Sequence, residues 1–296
     1  MLKHLNTAPV TPARVVIMGA GGFVGGAIAD RLERDAVPVV RLTRREVDLL
    51  ASDAADRLAA QLRPEDAFVA VSALAPCKTV DMLRDNVQMA LALVKATARI
   101  SPAHVVNISS DAVYADSGAP LTETSTAAPD TLHGIMHLAR EIMFRSEVKG
   151  PLAILRPSLL YGASDPHNGY GPNRFRRLVS AGEAIALFGE GEERRDHVLV
   201  DDVAELVTRV LFRRSIGVLN IATGMVASFR DIAETVISLY GRDVPIQLIP
   251  RSGPVPHNGY RPFDIAACRA AFPDFRYTPL RDGLAKVQRD ATATRR

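Results

Sequence analysis

Residues 14–25 read Arg-Val-Val-Ile-Met-Gly-Ala-Gly-Gly-Phe-Val-Gly. A short β-branched run predicts a strand over 14–18, the glycines break it, and the apolar spacing that follows predicts a helix over 23–33. Glycines at 19, 22 and 25 let the chain turn tightly, bring backbone close to a pyrophosphate and pack the helix on the sheet, while the helix N-terminus offers free N–H groups. The motif therefore predicts dinucleotide binding through Gly19, Gly22, Phe23, Val24 and Gly25.

Working outward, strands are predicted at 37–42, 67–71, 104–108 and 152–155, alternating with helices at 52–62, 80–99 and 132–148. Continuous apolar strands separated by helices imply a parallel sheet covered on both faces, a doubly wound α/β Rossmann sheet. After Tyr161-Gly162 a loop rich in Gly, Pro and Asn leads to a helix, a strand at 184–188 and the charged turn Gly189-Glu190-Gly191-Glu192-Glu193-Arg194-Arg195-Asp196. Residues 251–264 are similarly rich in Pro and Gly. Such loops suit binding surfaces. They predict a smaller, discontinuous C-terminal substrate-binding subdomain (166–196 and 241–290) over a dinucleotide-binding domain (13–165 and 197–240), with 1–12 as a tail.

Composition narrows the function classes. Across 296 residues, 36 Lys and Arg against 33 Asp and Glu leave a net charge of +3, which argues against a dedicated nucleic-acid binder. No stretch of roughly 18 uninterrupted apolar residues predicts a membrane span. The N-terminal residues lack the apolar core of a signal peptide, and two cysteines cannot build a disulfide framework, so a cytoplasmic setting is expected.

The end of the second strand bears on the cofactor. An Asp or Glu there would hold the ribose hydroxyls of NAD; the sequence instead reads Leu42-Thr43-Arg44-Arg45, two guanidiniums suited to a 2′-phosphate. This favours NADP over NAD, with Thr43, Arg44 and Arg45 around the phosphate and Asp48 at the adenine edge.

With these residues in hand, the chain resembles the extended short-chain dehydrogenase/reductase family, the epimerases, dehydratases and reductases of nucleotide sugars. The resemblance rests on the glycine turn, Ser109-Ser110-Asp111-Ala112-Val113-Tyr114, Leu155-Arg156-Pro157 with Leu160-Tyr161-Gly162, residues 189–202, and Asn220-Ile221-Ala222-Thr223-Gly224. Residues 43–50 are similar to the matching stretch of GDP-fucose synthase, an NADP-dependent member. The resemblance implies a hydride-transfer site with Ser110 polarising the substrate oxygen and Pro157 beside the cofactor. It also implies a Tyr-Gly-x-x-Lys pair about two dozen residues after Ser110. The sequence there is His133-Gly134-Ile135-Met136-His137.

Three readings fit this pair. His133 replaces the proton-transferring Tyr, imidazole being poised near neutrality, and His137 replaces the Lys on the nicotinamide ribose. Alternatively, two histidines four apart bind a metal, although no third ligand is evident. Or the chain binds its nucleotide without hydride chemistry, as a regulator or scaffold. Lys78, after the third strand, could supply the missing ammonium or be plain surface.

On the substrate side, the resemblance implies that Asn173, Arg195 and Arg261 hold a nucleotide diphosphate. Ala112 stands where dehydratases carry a second carboxylate, and Ala112 and Phe175 stand where GDP-fucose synthase carries its epimerising Cys and His. What remains is reduction of a keto-sugar nucleotide, favoured by the NADP reading, or an NAD-type 4-epimerisation. Family members often form homodimers through two helices, here 80–99 and 132–148, whose apolar residues fit either a four-helix interface or a monomer's core.

Overall fold

A computed structural model describes residues 2–293. In chain order its first elements are β1 (Lys3–His4), β2 (Val15–Met18), α1 (Phe23–Arg34), β3 (Val39–Leu42), α2 (Ala54–Ala59), β4 (Ala67–Ala70), α3 (Val80–Ile100), β5 (His104–Ile108), α4 (Leu132–Glu147) and β6 (Leu152–Pro157). There follow β7 (Leu159–Tyr161), α5 (Pro172–Ala181), β8 (Ile185–Phe188), β9 (Arg194–Leu199), α6 (Val200–Phe212), β10 (Ser215–Ile221) and β11 (Val226–Ser228). The last are α7 (Phe229–Tyr240), β12 (Ile246–Ile249), β13 (Tyr260–Arg261), α8 (Ala266–Ala271) and α9 (Leu280–Ala293).

Seven strands form the main sheet in the order β1-β10-β6-β5-β4-β2-β3, parallel except for β1. Alternation along β2 shows why both faces are covered. Val15 and Ile17 enter a core with α1 and α6, while Val16 and Met18 enter one with α2, α3 and Phe144 of α4. From β2 the chain steps outward to β3, then returns across β2 to β4, so strand order reverses there. At such a switch point a crevice opens at the carboxyl ends of the strands.

A second, smaller layer stands over that end. β9 pairs with β7, β11 and β13, and β8 with β12. A third core of Tyr161, Phe175, Phe229, Ile232 and Leu284 joins α5, α7 and α9.

The expected boundaries need correction in three places. Residues 194–196 belong to strand β9 instead of a turn. α7, expected in the cofactor domain up to residue 240, packs with α5 in the third core. Conversely Cys268, Phe272 and Phe275, expected in the substrate subdomain, fill the core beneath α1 and α6. The expected tail also contributes structure: Lys3 and His4 pair with β10, and the His4 ring bonds Ser215 Oγ at 2.7 Å and the Ala271 carbonyl at 2.9 Å. A parallel sheet leaves unpaired backbone groups along its outer strand, and β1 covers those at the first two residues of β10. Among the described residues no helix is long and apolar enough to cross a membrane, and both cysteines are buried and free.

Candidate active site

A cleft of about 950 Å³ opens where the strand order reverses, walled below by the main sheet and above by the smaller layer. Its floor is the glycine turn. The amides of Gly19 and Ala20 donate to the Leu42 carbonyl, and Gly22 N–H donates to Gly19 O at 3.0 Å. Gly19 has φ +104°, and a Cβ on Gly25 would lie 2.1 Å from Gly19 O, so neither position accepts a side chain. α1 then opens at Gly22 with no side-chain cap and no acidic residue in its first turn. Its first amides are left for an anion. Gly19, Gly22, Phe23, Val24, Gly25 and Pro157, the residues expected around the cofactor, all line the cleft.

At the end of β3 the expected residues divide. Arg44 and Asp48 line the cleft; Thr43 and Arg45 lie outside its lining. Thr43 donates through its amide and hydroxyl to Glu46 Oε2, at 2.8 and 2.6 Å, and its hydroxyl accepts from Arg45 N–H. The Arg44 side chain is 80% exposed, with one contact to Asp48 at 3.2 Å. Asp48 also accepts from Leu50 N–H, and that bond followed by Arg44 holds its carboxyl below the usual range.

The opposite side of the cleft is built by α4 and the turn after β5. Thr131 caps α4, accepting from Gly134 N–H at 3.1 Å. A Cβ at Gly134 would meet Ala112 O at 2.1 Å, so α4 sits directly on the short 3₁₀ turn Asp111–Val113. That contact brings Ser110, His133 and His137 to one wall. Ser110 Oγ accepts from Ala112 N–H at 3.1 Å and lies 3.3 Å from Asp111 Oδ1. The Cys77 amide donates to His133 Nδ1 at 3.3 Å, and the His133 and His137 rings meet edge to face at 4.7 Å. Burial lowers the pKa of both imidazoles; Asp111 opposes this at His133, whereas His133 and Arg140 add to it at His137. His137 Nδ1 has no hydrogen-bond partner. Lys78 is exposed and outside the cleft lining. Among the described residues no three metal-ligating groups cluster.

The loop after β4 forms the wall beside these groups. Arg140 donates to the Ser72 carbonyl and, at 2.6 Å, to Asn107 Oδ1; Asn86 holds Leu74 through both its backbone groups. Burial of Arg140 without a carboxylate partner brings its pKa down to about 10. Sequence reading missed this clamp, and also the network behind Ser110. Glu141, fully buried, receives Ser109 Oγ at 2.6 Å and Arg156 through two bonds at 2.8 and 2.6 Å; Arg156 continues to Tyr114 and then Asn220. Ser109, Tyr114, Arg156 and Asn220 all stood in the quoted motifs, and Glu141 and Arg156 lie in settings too apolar to remain unpaired, yet sequence did not show that they pair with one another.

The three expected diphosphate contacts line the upper cleft, yet each is partly engaged. Asn173 accepts from Gly162 N–H and donates to Leu160 O, bracing the end of β7. Arg195 pairs with Glu193 at 2.6 Å, and burial lowers its pKa. Arg261, 3% exposed, is bound to Asp111, Asp116 and His257. Arg251 and His257, which sequence reading left unassigned within a Pro/Gly loop, join the lining.

The sequence matches the model of the NAD dependent epimerase/dehydratase family over residues 15–222. The chain belongs to that family. Among characterised relatives, a UDP-glucose 4-epimerase of Mycolicibacterium smegmatis is 27% identical over 272 residues, covering 81% of this chain and 87% of that protein. A dTDP-4-dehydro-6-deoxy-D-allose reductase of Streptomyces bikiniensis is 26% identical over 320 residues, covering 93% of this chain and 95% of that protein. The crystal structure of a UDP-glucose 4-epimerase from Thermotoga maritima with UDP-glucose superposes with a TM-score of 0.84 at 20% identity, covering 96% of this chain and all of that one. This last match speaks to the fold.

Proposed function

We propose that this family member is an NADP(H)-dependent oxidoreductase of nucleotide sugars, acting as a keto-sugar nucleotide reductase or, through a transient ketone, as a 4-epimerase. The observation that carries the reading is one cleft containing the uncapped start of α1, the Ser110–His133 wall and the Arg195–Arg261 wall. The glycine turn and the uncapped α1 amides fit a pyrophosphate, because the bare Gly25 lets the turn pack against the start of α1 and leaves those amides at the floor of the cleft. Arg44, exposed at the mouth, fits a 2′-phosphate and favours NADP. The nicotinamide, when bound, supplies or accepts hydride at the sugar carbon. Ser110 and His133 hold the sugar oxygen; Arg195, Asn173 and Arg261 bound the diphosphate side. The relatives, an epimerase and a reductase of nucleotide sugars, support the substrate class.

Purified protein is expected to enhance or quench NADPH fluorescence more tightly than NADH, and to oxidise NADPH with a 4-keto sugar nucleotide from a panel of UDP, dTDP and GDP derivatives. A second reading, binding without turnover, is favoured because no Lys is among the described residues that line the cleft beside His137. NADPH binding with no oxidation across the panel and no interconversion of 4-epimers selects it. For assembly, we propose a homodimer through α3 and α4.

A further inference from the structure

We infer that His133 works as a neutral hydrogen-bond donor, its proton fixed on Nε2, and not as the proton-transferring group that its place in the family motif suggests. This rests on the reading of the cleft as a site for a sugar oxygen. Three independent features of the geometry lead to it.

The first is the tautomer. The Cys77 amide is itself a donor and points at His133 Nδ1 at 3.3 Å, so Nδ1 carries the lone pair and the single proton of the neutral ring is on Nε2. Protonating Nδ1 would set two N–H groups against each other. The second is position. His133 is the second residue of α4, behind the Thr131 cap, where the partial positive charge of a helix N-terminus opposes a cation. The third is the set of groups around the ring. On its own helix the neighbour is His137, buried and 4.7 Å away edge to face, which brings no negative charge to hold an imidazolium. From the loop after β4 it faces Cys77, whose thiol is held protonated by burial. From the 3₁₀ turn it faces Asp111, the one carboxylate that favours imidazolium, and that carboxylate is bound to Arg261 of β13 at 3.0 Å. Burial lowers the His133 pKa in the same sense.

A neutral imidazole N–H is a poor acid but a fixed dipole, and a fixed donor can stabilise charge that develops on a carbonyl oxygen. As hydride adds to the sugar carbon, the carbonyl electron pair moves to the oxygen. Ser110 Oγ–H and His133 Nε2–H hold the resulting alkoxide, and water supplies the proton that neutralises it.

The direct test is nitrogen-15 NMR of the full chain with labelled histidine, the His133 signals assigned by their loss in His133→Gln. One proton, on Nε2, is expected from about pH 6 to about pH 9. A doubly protonated ring at neutral pH, or a proton on Nδ1, overturns the inference. Kinetics give a second readout: His133→Gln, a donor that does not titrate, should keep the wild-type pH profile, with His133→Phe losing on the order of a hundredfold or more in kcat. A wild-type alkaline limb that His133→Gln abolishes would mean that His133 does titrate in turnover, and the inference fails. Protein that turns over no keto-sugar nucleotide removes the functional reading instead, and the NMR result stands by itself.

Discussion

Arg44 and Arg45 adjoin in sequence, yet only one of them belongs to the cleft. Arg44 lines it with its side chain 80% exposed, tied by a single long contact to Asp48; Arg45 stands outside the lining. Its weak pairing leaves Arg44 free to move onto a phosphate, since an exposed ion pair contributes little. Replacing Arg44 with Ala should weaken NADPH binding by roughly tenfold to a hundredfold, the usual scale for a hydrogen bond to a charged group, and leave NADH unchanged. Arg45→Ala should change neither. Fluorescence titrations of both variants with both nucleotides check this, and equal losses for the two nucleotides would show that Arg44 does not read the 2′-phosphate. Residue types and their order were legible here from sequence. Which of two neighbouring arginines faces the ligand was not, because that depends on how the turn after β3 is held, and Glu46 holds it through Thr43.

At the scale of elements, the approach of α4 to the turn after β5 decides the catalytic wall. Gly134 stands with no room for a methyl group against Ala112 O, and Thr131 fixes where the helix starts. Gly134→Ala forces α4 away from Ser110 and should cost about 1–3 kcal/mol of stability as overpacking, together with most of the turnover. Thr131→Ala should cost about 1 kcal/mol through the lost cap and spare more activity. Denaturant melts and single-turnover rates separate the two; a Gly134→Ala protein with wild-type kinetics would mean that the contact does not position the wall. The strand and helix alternation of the main sheet could be read in advance because its periodicity is local and both faces are apolar. β1, β9 and the allegiance of α7 could not. Each depends on a partner far away in sequence: β1 on β10, β9 on β7 and β13, α7 on α5. The engaged state of Arg261 was hidden for the same reason, since it meets Asp111 across 150 positions; Arg195 instead meets Glu193 two residues away, a pairing set by the local path of the chain into β9.

For the whole molecule, three large cores, with a smaller cluster of Val113, Tyr114, Leu121, Ala222 and Phe263 beside the catalytic wall, frame the cleft and leave an apolar face uncovered. Two cores sandwich the main sheet and the third carries the upper layer, so the cleft lies at the seam between packed units. On the flank, α3 and α4 pack on α2 and the sheet, yet expose Val80 and Val87 on one helix and Ile135 and Ile142 on the other. Each pair is seven residues apart, two helical turns, and so shares a face. With Val80 at 72% and Ile142 at 56% exposure, the outer members of the face add little to the monomer's core. Two such flanks meeting about a twofold axis would form a four-helix interface, the isologous arrangement commonest for homodimers. Sedimentation of the wild type should give the dimer mass, and Val87→Glu with Ile142→Glu should give the monomer, because four carboxylates would then be buried facing one another. As both positions are exposed in the monomer, the double variant should keep its melting cooperativity and its NADPH affinity. A wild-type monomer at micromolar concentration would refute the interface, and a dimer that survives both substitutions would move it to another face.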